Sequence, residues 1–108
     1  MGGNSMIQIK PCQYEDKPAD KVSGELTIYA AAEARRELQR LHASWPDLLL
    51  DLSEIEEIDS AGVQLLWWLK RNVEQSGHAL ALVDPSPAVV EVLDLLKLTG
   101  TFGLPSAN

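Results

Sequence analysis

Residues 48–52 read LLLDL, four leucines around one carboxylate. A strand with one wet face alternates apolar and polar side chains, whereas an almost unbroken apolar run marks a strand covered on both faces. A second run of this kind, ALALV, occupies residues 79–83. Between them, Ala61 to Gln75 has helical periodicity and meets a stop at Gly77. Strands alternating with helices imply parallel pairs with right-handed crossovers.

The other segments extend this pattern. Met6 to Lys10 (MIQIK) alternates as a half-buried strand should, and Val22 to Ile28 (VSGELTI) reads as a second strand with Gly24 marking a bulge or close approach. The stretch between them, residues 11–20, carries two prolines and four charges and reads as a turn or loop. Tyr29 to Leu41 is rich in helix formers, with Ala31, Ala34, Leu38 and Leu41 on one face, and Trp45-Pro46-Asp47 ends that unit. Ser53 to Asp59 is acidic, with Ile55 and Ile58 as anchors. Ser86-Pro87 is a helix start, since Ser can cap and Pro suits the first turn. Val89, Leu93 and Leu96 then share a face, Gly100 supplies the stop, and Thr101 to Leu104 reads as a short edge strand. The expected fold is a small α/β layer: a mixed sheet of four to five strands, its first two paired as a hairpin, with three to four helices.

Bulk properties narrow the function. A chain of 108 residues suits one domain, expected over 6–104, with 1–5 as a flexible start or cloning remnant and 105–108 as a tail. The net charge of −7 and scattered basic residues argue against a nucleic-acid binder, which needs a basic stripe. Cys12 is the only cysteine, so no internal disulfide and no spaced Cys/His zinc set exists, which fits a reducing cytoplasm. No apolar run reaches the ~18 residues of a membrane span, and no signal-peptide plan is evident.

The motifs of an enzyme are missing. His42 and His78 lack a second ligand at metal spacing and read as surface or capping residues. Ser60 is not in a Gly-x-Ser-x-Gly elbow, because Ile58 stands two residues before it. The glycines form no phosphate-binding or dinucleotide fingerprint. Asp51, Glu54, Glu56, Glu57 and Asp59 lack the spacing and central Gly of a calcium loop, so they read as a solvated acidic loop. No catalytic residue, metal ligand or cofactor is expected.

One hydroxyl stands out. In EEIDSAGVQLLWWLKR (56–71), Ser60 lies where a strand gives way to a helix, so either Asp59 or Ser60 caps that helix. A helix N-terminus also favours negative charge, so a phosphate on Ser60 would be tolerated by its own chain while adding about −1.5 to −2 charges. At ~100° per residue, Gly62, Leu65, Leu66, Leu69 and Val73 form the stripe facing the sheet. Trp68 falls at its border. Trp67 falls nearly opposite, on the line of Ser60, Gln64 and Arg71, where a Trp is either covered by a neighbouring element or exposed as a partner anchor.

These residues carry a resemblance. LLLDLSEIEEIDSAGVQLL, followed by GHALALVDPSPAVVEVLDLLKLTG, strongly resembles the STAS domain of bacterial anti-anti-sigma factors, and SGELTIYAAAEA resembles the strand end before the family's first helix. The likeness covers about residues 20–104, with Asp59-Ser60-Ala61-Gly62 its most specific motif. It implies a non-enzymatic module that binds an anti-sigma factor which is also a serine kinase. Phosphorylation of Ser60 would break the complex and a phosphatase would restore it. The kinase would supply nucleotide and magnesium, and the module would be a cytoplasmic monomer or weak dimer. Asp59 would shape the loop and Gly62 would allow close approach at the first helical turn. Many members have a second Ser at the place of Ala61, and many have Asp at the place of Thr27. The implied partner surface comprises Thr27, Asp59, Ser60, Gly62, Gln64 and Trp67. The resemblance also admits a second role, a permanently bound accessory subunit in a chemotaxis-linked signalling complex or a lipid-transport ABC complex. A small hydrolase using Ser60 would need a base that the sequence does not display.

Overall fold

The computed structural model describes residues 5–104; of the start and tail expected from the sequence, 1–4 and 105–108 lie outside the described residues. In chain order the elements are β1 (Ile7–Tyr14), β2 (Lys17–Leu26), α1 (Ala31–Ser44), β3 (Leu48–Ile58), α2 (Ser60–Gln75), β4 (Leu80–Val83) and α3 (Pro87–Leu95). The strands make one sheet in the order β1-β2-β3-β4. β1 runs antiparallel to β2, and β2, β3 and β4 are parallel. The mixed α/β sheet and its opening hairpin are therefore as the residue pattern predicts.

Residues 11–20 are not a loop. β1 continues through Pro11 to Tyr14 and β2 begins at Lys17, with Pro11 paired to Asp20 and Pro18 to Gln13. Both prolines are tolerated because each has a side with no ladder to serve. Pro11 is on the edge strand, and Pro18 precedes Asp20, where pairing with β3 starts. Glu15 and Asp16 form the two-residue turn with φ of 49° and 65°. Positive φ at both centres is what a twisted hairpin needs, and it is usually met by Asn-Gly rather than Glu-Asp.

The acidic stretch 53–58 is also strand rather than loop. Against β2, residues 51 to 54 of β3 span only Lys21 to Ser23, and 55 to 57 span only Gly24 to Glu25. β3 thus carries two extra residues. Each bulge resets the alternation, so after Leu48, Leu50 and Leu52 the buried positions step by three to Ile55 and Ile58. Gly24 sits beside the second bulge with φ +107°, and a Cβ there would lie 2.1 Å from the Met6 carbonyl oxygen.

The core lies where the helices meet the sheet. Gly62, Leu65, Leu66, Leu69 and Val73 of α2 are all buried, as their spacing requires. They join Ala34 and Leu38 of α1, Val89 and Leu93 of α3, and Val22, Leu26, Leu50 and Leu52 of the strands. The helix ends are chemically defined. Gly77 (φ +86°) closes α2, with its N–H on Glu74 O and that of His78 on Val73 O. At α3 the Ser86 hydroxyl accepts from Val89 N at 3.3 Å and Pro87 takes the first turn. The stop is Lys97 (φ 60°) rather than Gly100, with Lys97 N on Asp94 O and Leu98 N on Leu93 O. These two hydrogen bonds and the apolar Leu98 end the helix at Leu95, five residues before the glycine. Residues 101–104 then form turns instead of an edge strand, and they bury Phe102 and Leu104.

Candidate functional site

The C-terminal ends of β2 and β3 and the start of α2 converge at Asp59. Its backbone N–H donates to Leu26 O at 3.2 Å, which ties the end of β3 to the end of β2. Its side chain then holds two more amides: Oδ1 accepts from Gly62 N at 3.1 Å, and Oδ2 accepts from Ile28 N at 3.0 Å. Asp59 is therefore the N-cap of α2. With its other oxygen it fixes the loop between β2 and α1. The first turn of α2 presses on that loop, since a Cβ on Gly62 would sit 2.0 Å from the Leu26 carbonyl oxygen. Only glycine lets the helix start this close to β2.

With the cap supplied by Asp59, Ser60 is the first helical residue. It is exposed, and its hydroxyl makes no hydrogen bond to another described residue. Gln64, one turn on, is exposed too. Trp67 combines both expected alternatives: Phe102 meets it edge-on at 6.3 Å, yet 43% of it stays exposed. Trp67, Gln64 and Val63 line a cavity of about 250 Å³ with Leu98 and Thr101. Trp68 is half-buried at the border of the core stripe, with the Arg35 guanidinium 4.3 Å from its ring centre.

Two residues of the implied partner surface are inside. Thr27 is buried, because the loop turns inward as Ala30 N bonds to Thr27 O, and its Oγ1 has no hydrogen-bond partner. Gly62 is buried against Leu26. Neither presents a side chain at the surface. The loop instead exposes its next two residues, Ile28 (66%) and Tyr29 (83%). Their position was hidden in the sequence because Ile28 reads as the end of a strand and Tyr29 as the start of a helix. At the strand ends that lead to this loop and to Asp59, Glu25 and Glu57 are direct cross-strand partners, and neither forms an ion pair among the described residues.

The histidines lie elsewhere. His78 follows the far end of α2, roughly 24 Å along the helix from Ser60 at 1.5 Å per residue, with its Nδ1 3.4 Å from Asp47. His42 is at the end of α1, its Nδ1 3.4 Å from Trp45 O. Of the acidic stretch, Asp51 is buried and accepts from Ser53 N at 2.8 Å, while Glu54 pairs with Lys21 at 3.6 Å. Among the described residues no group of three or more His, Cys, Asp or Glu side chains is placed to hold a metal ion, and no helix is long and apolar enough to cross a membrane.

A mixed α/β layer with an Asp-capped helix at the end of an interior strand is consistent with a STAS domain, and the chain belongs to that family: residues 13–105 match the family model described as "Mlab, STAS domain". Among individual proteins it is similar to the anti-sigma-B factor antagonist of Bacillus subtilis (strain 168), at 25% identity over 92 residues, 85% of this chain and 84% of the relative. Three solved structures share the fold. The anti-sigma factor antagonist SpoIIAA in its unphosphorylated form aligns with a TM-score of 0.67 at 21% identity, over 94% of this chain and 88% of that one. An anti-sigma factor antagonist from Mycobacterium paratuberculosis gives 0.70 at 22%, over 100% and 92%. A putative one from Thermotoga maritima gives 0.70 at 24%, over 89% and 84%.

Proposed function

We propose that this protein is a non-enzymatic, cytoplasmic signalling module of the anti-anti-sigma type, switched off by phosphorylation of Ser60. The observation that carries this reading is the division of labour at the start of α2. Asp59 does the capping with one carboxylate oxygen and holds the neighbouring loop with the other. The Ser60 hydroxyl is left exposed, on a surface that also bears Gln64 and Trp67. A hydroxyl with no structural duty can be modified without unfolding its own chain. The helix N-terminus tolerates the added charge, whereas a partner packed over Ser60 would have to strip water from a phosphate, which costs several kcal/mol. The names of the relatives, anti-sigma factor antagonists, support an anti-sigma factor as the partner; in this reading that factor is also the serine kinase, and a separate phosphatase reverses the modification. In this reading the kinase brings nucleotide and magnesium, and the module uses no cofactor or nucleic acid.

The test is incubation with the cognate kinase and ATP, followed by intact mass. One added phosphate on the wild type and none on Ser60→Ala is expected. No addition, or addition unaffected by Ser60→Ala, refutes the switch.

A permanently bound accessory subunit is the second reading, favoured by the size of the exposed apolar side chains Tyr29 and Trp67. It predicts that Ser60→Asp keeps its partner, whereas a switch loses it.

A further inference from the structure

We infer that Ile28 and Tyr29 are the apolar anchors of the docking surface, and that the protein partner brings a basic side chain to the Glu25–Glu57 pair. This inference rests on the reading of Ser60 as the centre of a protein interface.

The apolar part comes from exposure and rigidity together. Ile28 and Tyr29 are 66% and 83% exposed, consecutive, and on the loop that leads into α1. Exposed side chains on a loose loop would lose entropy on docking. Here the Ile28 amide is held by Asp59 Oδ2 at 3.0 Å and the Ala30 amide by Thr27 O at 3.0 Å, so the backbone beneath both side chains is already fixed. Pre-ordered aromatic and aliphatic side chains are what binding hot spots use. Asp59 bonds to this loop and begins the turn that carries Ser60, so the anchors and the hydroxyl belong to one surface. Trp67 lies roughly 10 Å further along α2 at 1.5 Å per residue.

The polar part comes from charge. Glu25 and Glu57 lie directly opposite each other on neighbouring strands, where like charges oppose pairing. Exposed Glu56 stands beside them, and no cation among the described residues pairs with Glu25, Glu56 or Glu57. A Lys or Arg from a partner would relieve this repulsion at the rim. Ser60 follows Asp59, which holds the loop of the anchors, and Gln64 lies one turn further along α2, so a partner seated on the anchors would cover Ser60. A phosphate there is desolvated on docking, and a cation at the wet rim does not repay that cost. The acidic rim also disfavours an anionic membrane as the occupant of this surface.

The test measures binding of the purified cognate anti-sigma kinase to wild type, Ile28→Ser, Tyr29→Ala, Glu25→Lys/Glu57→Lys and, as a control on the opposite end of the fold, His78→Ala. Thermal melts establish that each variant is folded. Tyr29→Ala and Ile28→Ser are each expected to weaken binding more than 10-fold through faster dissociation. The charge reversal should slow association several-fold and flatten its salt dependence, and His78→Ala should change nothing. If wild type does not bind, the anti-anti-sigma reading fails. If wild type binds and the loop variants stay within 3-fold, that reading stands and this inference is overturned. Tyr29-dependent binding to phosphatidylglycerol vesicles would overturn it in favour of a lipid surface.

Discussion

Asp59→Ala should separate the structural duty of this site from its signalling duty. The substitution removes the acceptor for Gly62 N at 3.1 Å and for Ile28 N at 3.0 Å. Loss of an N-cap costs about 1 kcal/mol. The second bond, to a charged acceptor, contributes up to about 1.5 kcal/mol, less where water can reach the exposed Ile28. A total near 2 kcal/mol is expected, or roughly 10 °C in Tm for a domain of this size. Asp59→Asn retains one acceptor oxygen but turns an NH₂ toward the other amide, so it should fall between, near 1 kcal/mol. Ser60→Ala touches neither bond and should stay within about 0.5 kcal/mol of wild type. Urea titrations followed by far-UV circular dichroism read all three. The reasoning is refuted if Ser60→Ala destabilises by more than 1 kcal/mol while Asp59→Ala is silent, because Ser60 would then be the cap.

Three further outcomes follow from the packing. Gly62→Ala places a methyl 2.0 Å from the Leu26 carbonyl oxygen, a backbone atom, so α2 must move; a loss of about 3 kcal/mol or more is expected in the same titration, and wild-type stability would show that the helix has room. Thr27→Val replaces a buried hydroxyl that has no hydrogen-bond partner. It should be neutral or stabilise by up to about 1 kcal/mol, and a clear loss would mean that Oγ1 is satisfied. Burial raises the Asp20 carboxyl above its ordinary value. A raised pKa means that ionisation opposes folding: the favourable contribution is complete below the unfolded pKa and lost as pH rises through the folded one. Asp20→Asn should therefore raise Tm at pH 7, with the gain fading below about pH 4.

The parts of this fold that follow local rules could be read from residues alone. The α2 stripe and the Ser86-Pro87 helix start depend on neighbours in sequence. The parts that were not legible depend on distant ones. Pro11 and Pro18 look like loop residues until the sheet order shows that each faces an unpaired side. Ile55 and Ile58 break the period of two because β3 absorbs two bulges against β2. Lys97, which ends α3, carries no signal of its own, and Gly100 drew the stop too late. At the site, Ser60 and the Asp59 motif are visible in sequence, but which of them caps is a matter of geometry. Thr27 illustrates the limit best. One inward turn buries it and exposes Ile28 and Tyr29 in its place.

The central question is whether a phosphate at Ser60 controls docking. Its most direct test is the affinity of the purified cognate kinase for the unmodified protein and for the same protein carrying phosphoserine only at position 60, installed during synthesis. A loss of at least 100-fold on phosphorylation, about 2.7 kcal/mol, is predicted. Equal affinities would contradict the switch and leave Ser60 as an ordinary first-turn residue beside a permanent interface.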